Sequence, residues 1–261
     1  PQSENARKNQ AKIKSELDNG FLDNVIAESF LTDEEKLLLD NTIVESMHKL
    51  IESITSEVGR AIVGLTVLQL TIKSIVPKQS IRLHKASQNR GSFSWIDGVP
   101  MRVLDKEYIT PKLREYNLLK LNADGFMMTR SLAENYPYTK LYKANIRGAK
   151  DEWILIVNYI ELNPNVAFPC LKLFITLLKQ RSINFNNKVE LTKAKVSNYI
   201  SSVSNIENMK ELLFSFPSIS SYSARLFEIL IHSFYCTLAD EELLGNFLKP
   251  LSQMRSANKK H

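Results

Sequence analysis

Glycine, proline and cysteine are all scarce in this chain of 261 residues. Eight glycines and nine prolines argue against a loop-rich all-β fold, whose turns depend on these residue types. The two cysteines, Cys170 and Cys236, lie in apolar helical sequence, so we expect buried thiols in an intracellular setting rather than a disulfide. Two isolated cysteines and four scattered histidines offer no ligand spacing, which argues against a structural zinc site.

A long apolar run is missing as well. The longest apolar stretch, residues 61–76, is interrupted by Thr66, Gln69, Thr71 and Lys73. It is also shorter than the roughly 20 apolar residues that a membrane span requires. The beginning of the chain lacks the cationic and then apolar layout of a signal peptide. We therefore expect a cytoplasmic protein without a membrane partner.

Sequence motifs for catalysis are not visible. The chain has no GxxxxGK[ST] phosphate loop, no GxGxxG and no GxSxG elbow. Its acidic-x-Lys triplets at residues 33–36 lie in a helix cap, so we interpret them as structural rather than as nuclease carboxylates. The histidines do not cluster, and only His84 has polar surroundings that suit a phosphate or a base. Spacing alone builds no nucleophile–base arrangement, so we assign no catalytic residues, and we expect no cofactor in this chain.

Helical patterns dominate on both sides of a segment with a different texture. Thr32 and Glu35 form a capping box, from which apolar spacing predicts a helix to about Glu57, and an apolar helix follows at 58–76. Later helices are predicted at 151–162, 166–180, 189–203, 206–214, 223–238 and 241–253, with breaks at 163–164, 186–187 and 216–218. The fold class is mainly α: a bundle-like helical scaffold with a small β- and loop-rich basic insert. The segments are 1–77, 78–150 and 151–261, packed as one domain.

The middle segment, residues 78–150, is called here the basic segment. It holds 14 Lys and Arg against 6 Asp and Glu, a balance of +8, whereas the rest of the chain has 20 against 22, a balance of −2. β-leaning pieces are predicted at 92–96 and 101–104, and short helices at 112–119 (after an N-cap at Thr110 and Pro111) and at 131–136. A basic, irregular segment rich in hydrogen-bonding side chains is typical of a nucleic-acid contact surface. The alternative is an ordinary solvated surface, with Phe93, Trp95 and Phe126 in the core.

The candidate DNA contacts fall into three clusters. Arginine can bind guanine through two hydrogen bonds, and asparagine or glutamine can bind adenine, each pair contributing about 1–3 kcal/mol of discrimination. If about six cations contact phosphates, affinity falls about 10³-fold between about 50 and 200 mM salt. The first cluster is Arg82, His84, Lys85, Gln88, Asn89, Arg90, Ser92, Ser94 and Trp95; the second is Arg102, Lys106, Lys112 and Arg114; the third is Arg130, Lys140, Lys143, Arg147 and Lys150.

The basic segment resembles a known family. The runs SIRLHKAS, GSFSWIDGVPMRVLDKEYITPKLRE and GFMMTRSLAENYPYTKLY, and the closing MRSANKKH, are similar to the DNA-reading part of type II restriction endonucleases of the SacI-like family. Residues 108–111 match its turn that opens a helix, and residues 129–134 with Pro137 and Tyr138 match its Thr-Arg-Ser-Leu block. The match covers about a quarter of the chain.

The resemblance implies a sequence-specific reader of double-stranded DNA attached to a magnesium-dependent cleavage domain, and a possible homodimer. Because no carboxylate–lysine motif is visible here, we expect this chain to be the N-terminal recognition part of a longer enzyme, with magnesium required by the full-length nuclease. Two alternatives stay open: a complete nuclease whose acids come together from separate helices, and a non-enzymatic helical interaction module. RNA is a less favoured ligand.

Overall fold

The structure, a computed structural model, describes residues 2–55, 59–85, 94–119, 148–202 and 223–243, with a few single positions between 205 and 215. The chain divides into two compact units, Pro1–Asn187 and Lys188–His261. The described residues are mainly α-helical, which confirms the predicted fold class. Their β content is one isolated parallel bridge between His84 and Val99. All three predicted segments contribute to the first unit.

The helices are numbered here in chain order. The first unit contains α1 Glu4–Asp18, α2 Phe21–Ala27, α3 Asp33–Leu37, α4 Asn41–Glu52, α5 Arg60–Ile75, α6 Met101–Leu104, α7 Thr110–Glu115 and α8 Lys150–Leu162. A π-helical turn, Asp105–Ile109, joins α6 to α7, and a 3₁₀ turn, Pro164–Val166, follows α8. Helix α9, Ala167–Ser202, begins in the first unit, and α10, Ser223–Asp240, belongs to the second.

Short polar side chains determine where the early helices begin. The predicted capping box is confirmed: Glu35 N donates to Thr32 Oγ1 at 3.2 Å, and Thr32 N donates to the Glu35 carboxylate at 2.8 Å. The single long helix expected after it is wrong, because α3 ends at Leu37. The Asp40 carboxylate accepts from Thr42 N at 2.8 Å and begins a new helix, α4. A side-chain acceptor of this kind competes with helix continuation and favours an N-cap.

Helix α5 is the centre of the first unit, as its apolar sequence predicted. Thirteen of its 16 residues are buried, and it packs against α1, α8 and the π-helical turn. Helix α4 packs against α8 on another side. Trp153 of α8 and Phe174 of α9 are completely buried in the same core. This core anchors both the beginning and the end of the described basic segment.

The beginnings of α5 and α8 meet at two glycines. Gly59 and Gly148 have φ angles of +83° and +112°, which side chains rarely adopt. A Cβ atom on Gly148 would lie 3.0 Å from the Gly59 Cα atom. The close approach of the two helix starts therefore requires glycine at both positions.

The second predicted β piece is a helix. Residues 101–115 form one helical run through α6, the π-helical turn and α7, whose inner face buries Met101, Leu104, Ile109 and Leu113. Leu104 and Ile109 are five positions apart, and the π-helical turn absorbs the extra residue so that both face the core. The predicted N-cap at Thr110 is also wrong. Its dihedrals are helical, and its hydroxyl donates to Asp105 Oδ1 at 3.0 Å.

The later helix boundaries are only partly as predicted. The break at Asn163 and Pro164 is confirmed. The break at Asn186 and Asn187 is wrong, because α9 continues through it for 36 residues in all. The helix at 223–238 is confirmed by α10, whereas residues 241–243 form a turn. The predictions at 92–93, 131–136, 216–218 and 244–253 lie outside the described residues. The described positions of the helix predicted at 206–214, namely 207, 208, 210, 211 and 214, are helical. Residues 94–96 are not in a strand, because 95–97 form a turn.

Both cysteines are free thiols, as predicted; Cys170 is buried and Cys236 is half-buried. Within the described part of the chain, no single helix has the length and apolar character needed to cross a membrane. Helix α8 and the part of α9 up to Tyr199 satisfy those criteria only together, and the pair is bent by 112° at its break.

Candidate nucleic-acid interface

The first cluster of predicted contacts sits on a compact structure that we call the loop base, residues 79–85 and 94–99. Ser94 N donates to His84 O at 2.8 Å, Lys85 N donates to Val99 O at 2.8 Å, and Val99 N donates to Leu83 O at 3.0 Å. These bonds hold the two sides of the loop base together. The described residues on either side of the stretch 86–93 therefore lie side by side.

Gly98 closes the loop base. A Cβ atom at this position would lie 2.2 Å from Ser94 O and 2.5 Å from His84 O, which no side chain can tolerate. The backbone of the returning segment therefore passes directly against the departing one, and only glycine permits this approach.

A buried ion pair supports the loop base from below. Lys73 of α5, 3% exposed, donates to Glu161 Oε2 of α8 at 2.7 Å and to Gln79 O at 3.0 Å. The other oxygen of Glu161 accepts from Ser80 Oγ at 2.8 Å and from Ile81 N at 2.7 Å. Buried charges are tolerated when they are paired and hydrogen-bonded in this way. The loop base is thereby fixed to two core helices.

A second buried bond runs beside the ion pair. Trp153 Nε1 donates to Gln69 Oε1 at 2.8 Å, and Gln69 Nε2 donates to Ile81 O at 3.0 Å. Gln69 and Lys73 are four residues apart in an otherwise apolar helix, so they lie on the same helix face. That spacing is the sequence signal from which this buried network could have been predicted.

Helix α1 covers the outer side of the loop base. Ser3 N donates to Ile96 O at 3.1 Å, Gln10 Nε2 donates to Gly98 O at 3.2 Å, and Asn9 Nδ2 donates to Gln79 Oε1 at 3.0 Å. The loop base is thus in contact with α1, α5 and α8.

Three predicted contact residues are used within the protein. Arg82 is half-buried, and its guanidinium donates to Asn158 Oδ1. Ser94 Oγ accepts from Asp97 N at 3.0 Å. His84 is 4% exposed, and burial lowers its pKa from 6.5 to about 4, so its imidazole is neutral at physiological pH. This burial contradicts the expectation that His84 contacts phosphates or bases.

Two other members of the first cluster reach the surface at the ends of residues 86–93. Lys85 precedes this stretch; its Nζ donates to Gln2 Oε1 at 2.9 Å and lies 5.3 Å from the centroid of the Trp95 ring. Trp95 follows the stretch and is 42% exposed, which contradicts the alternative that it is a core residue. The attraction between a cation and an indole ring contributes about 0.5–1 kcal/mol at exposed sites.

The second cluster lies on the outer face of residues 101–115. Arg102, Lys106 and Arg114 are exposed, while the opposite face is in the core. Lys112 is different, because its Nζ lies 2.7 Å from the Asp23 carboxylate and 3.1 Å from that of Glu115. Hydrogen bonds to these two carboxylates raise the pKa of Lys112. Its positive charge is already compensated within the protein.

The remaining predicted contacts lie outside the described residues: Gln88, Asn89, Arg90, Ser92, Arg130, Lys140, Lys143 and Arg147. The same is true of Phe93 and Phe126. Lys150 is the first residue of α8. In the part of the chain that the structure describes, no three His, Cys, Asp or Glu side chains are grouped so that they could hold a metal ion.

Neither a protein-family model, nor a curated protein, nor a solved structure matches this chain. The resemblance of the basic segment to restriction endonucleases therefore stays an interpretation of its own motifs.

Proposed function

We propose that this chain binds double-stranded DNA through the basic segment, as the cytoplasmic DNA-recognition part of a type II restriction endonuclease. The observation that carries the proposal is the combination of a hydrogen-bonded loop base with exposed cations in the helical run that follows it in sequence. The loop base has satisfied polar groups and contacts to three helices, and Arg102, Lys106 and Arg114 are exposed next to it in sequence.

The loop base supports a reading function for residues 86–93. Five of these eight residues carry hydrogen-bonding side chains, namely Ser87, Gln88, Asn89, Arg90 and Ser92. Side chains that read base edges need a fixed point of attachment, because a displacement of about 1 Å breaks a paired hydrogen bond. The bond between Ser94 N and His84 O, 2.8 Å long, supplies such a point at the ends of the stretch.

The exposed cations support a phosphate-contacting function. The helical run 101–115 buries its apolar face, so its basic face is directed to solvent. Cations of this kind position a protein on the DNA backbone and provide affinity that does not depend on sequence.

The test is a fluorescence anisotropy titration of the full chain with labelled duplexes at increasing salt. Binding should weaken about 10³-fold between about 50 and 200 mM salt if about six phosphates are contacted. The double variant Arg102→Ala/Lys106→Ala should reduce the slope of log K against log salt by about two. Lys36→Ala, which removes one exposed lysine of α3, is the matched control. Absent or salt-insensitive binding by the wild-type chain would exclude the proposal.

A second candidate function, self-association, is favoured by the surface of the second unit. Helix α10 exposes large apolar side chains, with Phe227 50%, Ile229 48%, Phe234 60% and Tyr235 44% exposed. Large exposed apolar side chains of this kind are suited to a protein contact, and a homodimer would cover them. Sedimentation velocity over a wide concentration range tests this. Phe234→Ser should shift the chain towards the monomer without changing the salt dependence of DNA binding.

A further inference from the structure

A cleft of about 450 Å³ lies in the first unit, outside all three predicted clusters. It is formed where the ends of α4 and α7 approach the beginning of α5 and the middle of α9. Its lining residues are Thr55, Arg60, Asn117, Leu118, Leu119, Arg181, Ser182, Phe185 and Asn186. A cleft of this size is within the range of small-ligand sites in proteins.

Two arginines give the cleft a positive charge. Arg181 donates to Ile54 O at 3.2 Å, and Arg60 Nε donates to Thr55 O at 3.4 Å. Burial, and then the like charge of Arg60, lower the pKa of the Arg181 guanidinium. Of the described residues that line the cleft, none is acidic. Both guanidinium groups are half-buried, and each of these two hydrogen bonds goes to a backbone carbonyl, which carries no formal negative charge.

The other walls of the cleft offer hydrogen-bonding groups and an aromatic face. Ser182 Oγ donates to Asn117 O at 2.8 Å, which connects α9 to the residue that ends α7 in a left-handed conformation, with φ of +53°. Phe185, one helical turn from Arg181, is 57% exposed. An exposed aromatic ring beside a cationic pair provides a surface on which a base can stack.

We propose that this cleft binds a nucleotide, with its phosphate group on Arg60 and Arg181 and its base against Phe185. Arginine is suited to this ligand because its planar donors bind two phosphate oxygens at once. The nucleotide is either a free mononucleotide or part of a DNA strand. Only the second source rests on the proposed function, and in that case the cleft adds a contact that lies outside the basic segment.

The test is calorimetric titration of the full chain with adenosine monophosphate, adenosine and inorganic phosphate, together with anisotropy measurements on a labelled duplex. Arg181→Gln should weaken binding of the monophosphate, of the duplex, or of both by about tenfold or more, the loss expected for one charge-assisted donor. Lys188→Ala, which removes an exposed lysine of α9 outside the cleft lining, should leave binding unchanged. An effect on the monophosphate identifies a free nucleotide, and an effect on the duplex identifies a strand.

Because Arg181 also bonds to Ile54, Phe185→Ala serves as a second variant, since a phenylalanine side chain makes no hydrogen bond that the substitution could remove. This variant should weaken binding of the monophosphate about fivefold or more and leave binding of inorganic phosphate unchanged. The inference is overturned if the wild-type chain binds neither the monophosphate nor inorganic phosphate and both variants bind the duplex as the wild type does. Continued salt-dependent duplex binding in that case would leave the proposed function intact.

Discussion

Lys73 and Lys85 contribute equally to the net charge of the chain, but they lie on different sides of the loop base and differ in whether a carboxylate compensates their charge. Below the loop base, Lys73 is 3% exposed and is paired with Glu161 at 2.7 Å. At the upper edge, Lys85 is half-buried, and its partners are the Gln2 amide oxygen and the Trp95 ring. The first lysine is compensated by a carboxylate, whereas the second keeps its charge near the surface. Charge counts therefore identify a basic segment but not the side chains that can bind DNA.

The energetic consequences of the two arrangements also differ. Removing one partner of a buried ion pair leaves a charge without compensation, which is costly because water cannot solvate it. Removing a lysine whose charge stays near the surface changes the folding free energy little, because water solvates that charge in both the folded and the unfolded chain. Variants below the loop base should thus alter stability, and variants of exposed cations in the basic segment should alter DNA affinity.

The largest expected effect comes from Lys73→Met. This variant leaves the Glu161 carboxylate buried beneath Ser80 and Ile81, and should lower the free energy of unfolding by about 3–5 kcal/mol. Urea denaturation measures the change. The double variant Lys73→Met/Glu161→Gln should recover part of the loss, because the unpaired charge is gone. Equal stability of Lys73→Met and the wild type would show that the ion pair does not support the loop base.

His84 provides a pH-dependent test of the same region. Its folded pKa of about 4 lies below the ordinary value of 6.5, so the unfolded chain takes up a proton first as the pH falls. The stability that neutral His84 provides is therefore present above about pH 6.5 and is lost towards pH 4. The loss should be about 2 kcal/mol between pH 7 and pH 5.

Comparison with His84→Gln isolates this effect. Burial raises the pKa of Asp105 and so acts in the opposite direction, but it acts equally in both proteins. Denaturation curves at several pH values should show a smaller loss for His84→Gln. Identical pH profiles would mean that His84 is not buried as neutral imidazole.

Variants of the basic segment should separate base reading from phosphate contact. Arg90→Ala or Arg130→Ala should cost about 1–3 kcal/mol on a preferred duplex and less on random DNA. Lys140→Ala or Lys143→Ala should weaken binding to both duplexes about equally. Anisotropy titrations on the two duplexes measure the ratio, and an equal loss for all four variants would limit the basic segment to backbone contacts.

The smallest expected effect is a difference in the salt dependence of DNA binding between variants of two lysines in the helical run 101–115. Lys106 is exposed, whereas Lys112 is paired with Asp23 and Glu115. Lys106→Ala should reduce the salt slope by about one. Lys112→Ala should leave the slope unchanged, because its charge is already compensated within the protein. Equal slopes for the two variants would contradict this division of the second cluster.

Local patterns predicted much of the helical framework. The capping box at Thr32, the apolar helix α5 and the break at Pro164 each depend on neighbours within a few residues, and all three are confirmed. The β interpretation of residues 101–104 was wrong, because these residues begin a helical run. Leu104 and Ile109 are five positions apart in the sequence, and the π-helical turn places both on the buried face of that run. The Asn186–Asn187 break failed because helix propensity is weak, and a long helix tolerates two asparagines.

The amino-acid sequence alone determined the mainly helical class, the location of the basic segment and its excess of positive charge, because composition and short-range spacing suffice for these. The tertiary structure alone decided that His84 and Lys73 are buried, that Lys112 is paired with Asp23 and Glu115, and that Arg60 and Arg181 line one cleft. The physical reason is that burial, ion pairing and pKa depend on residues far apart in the chain, which only packing brings together.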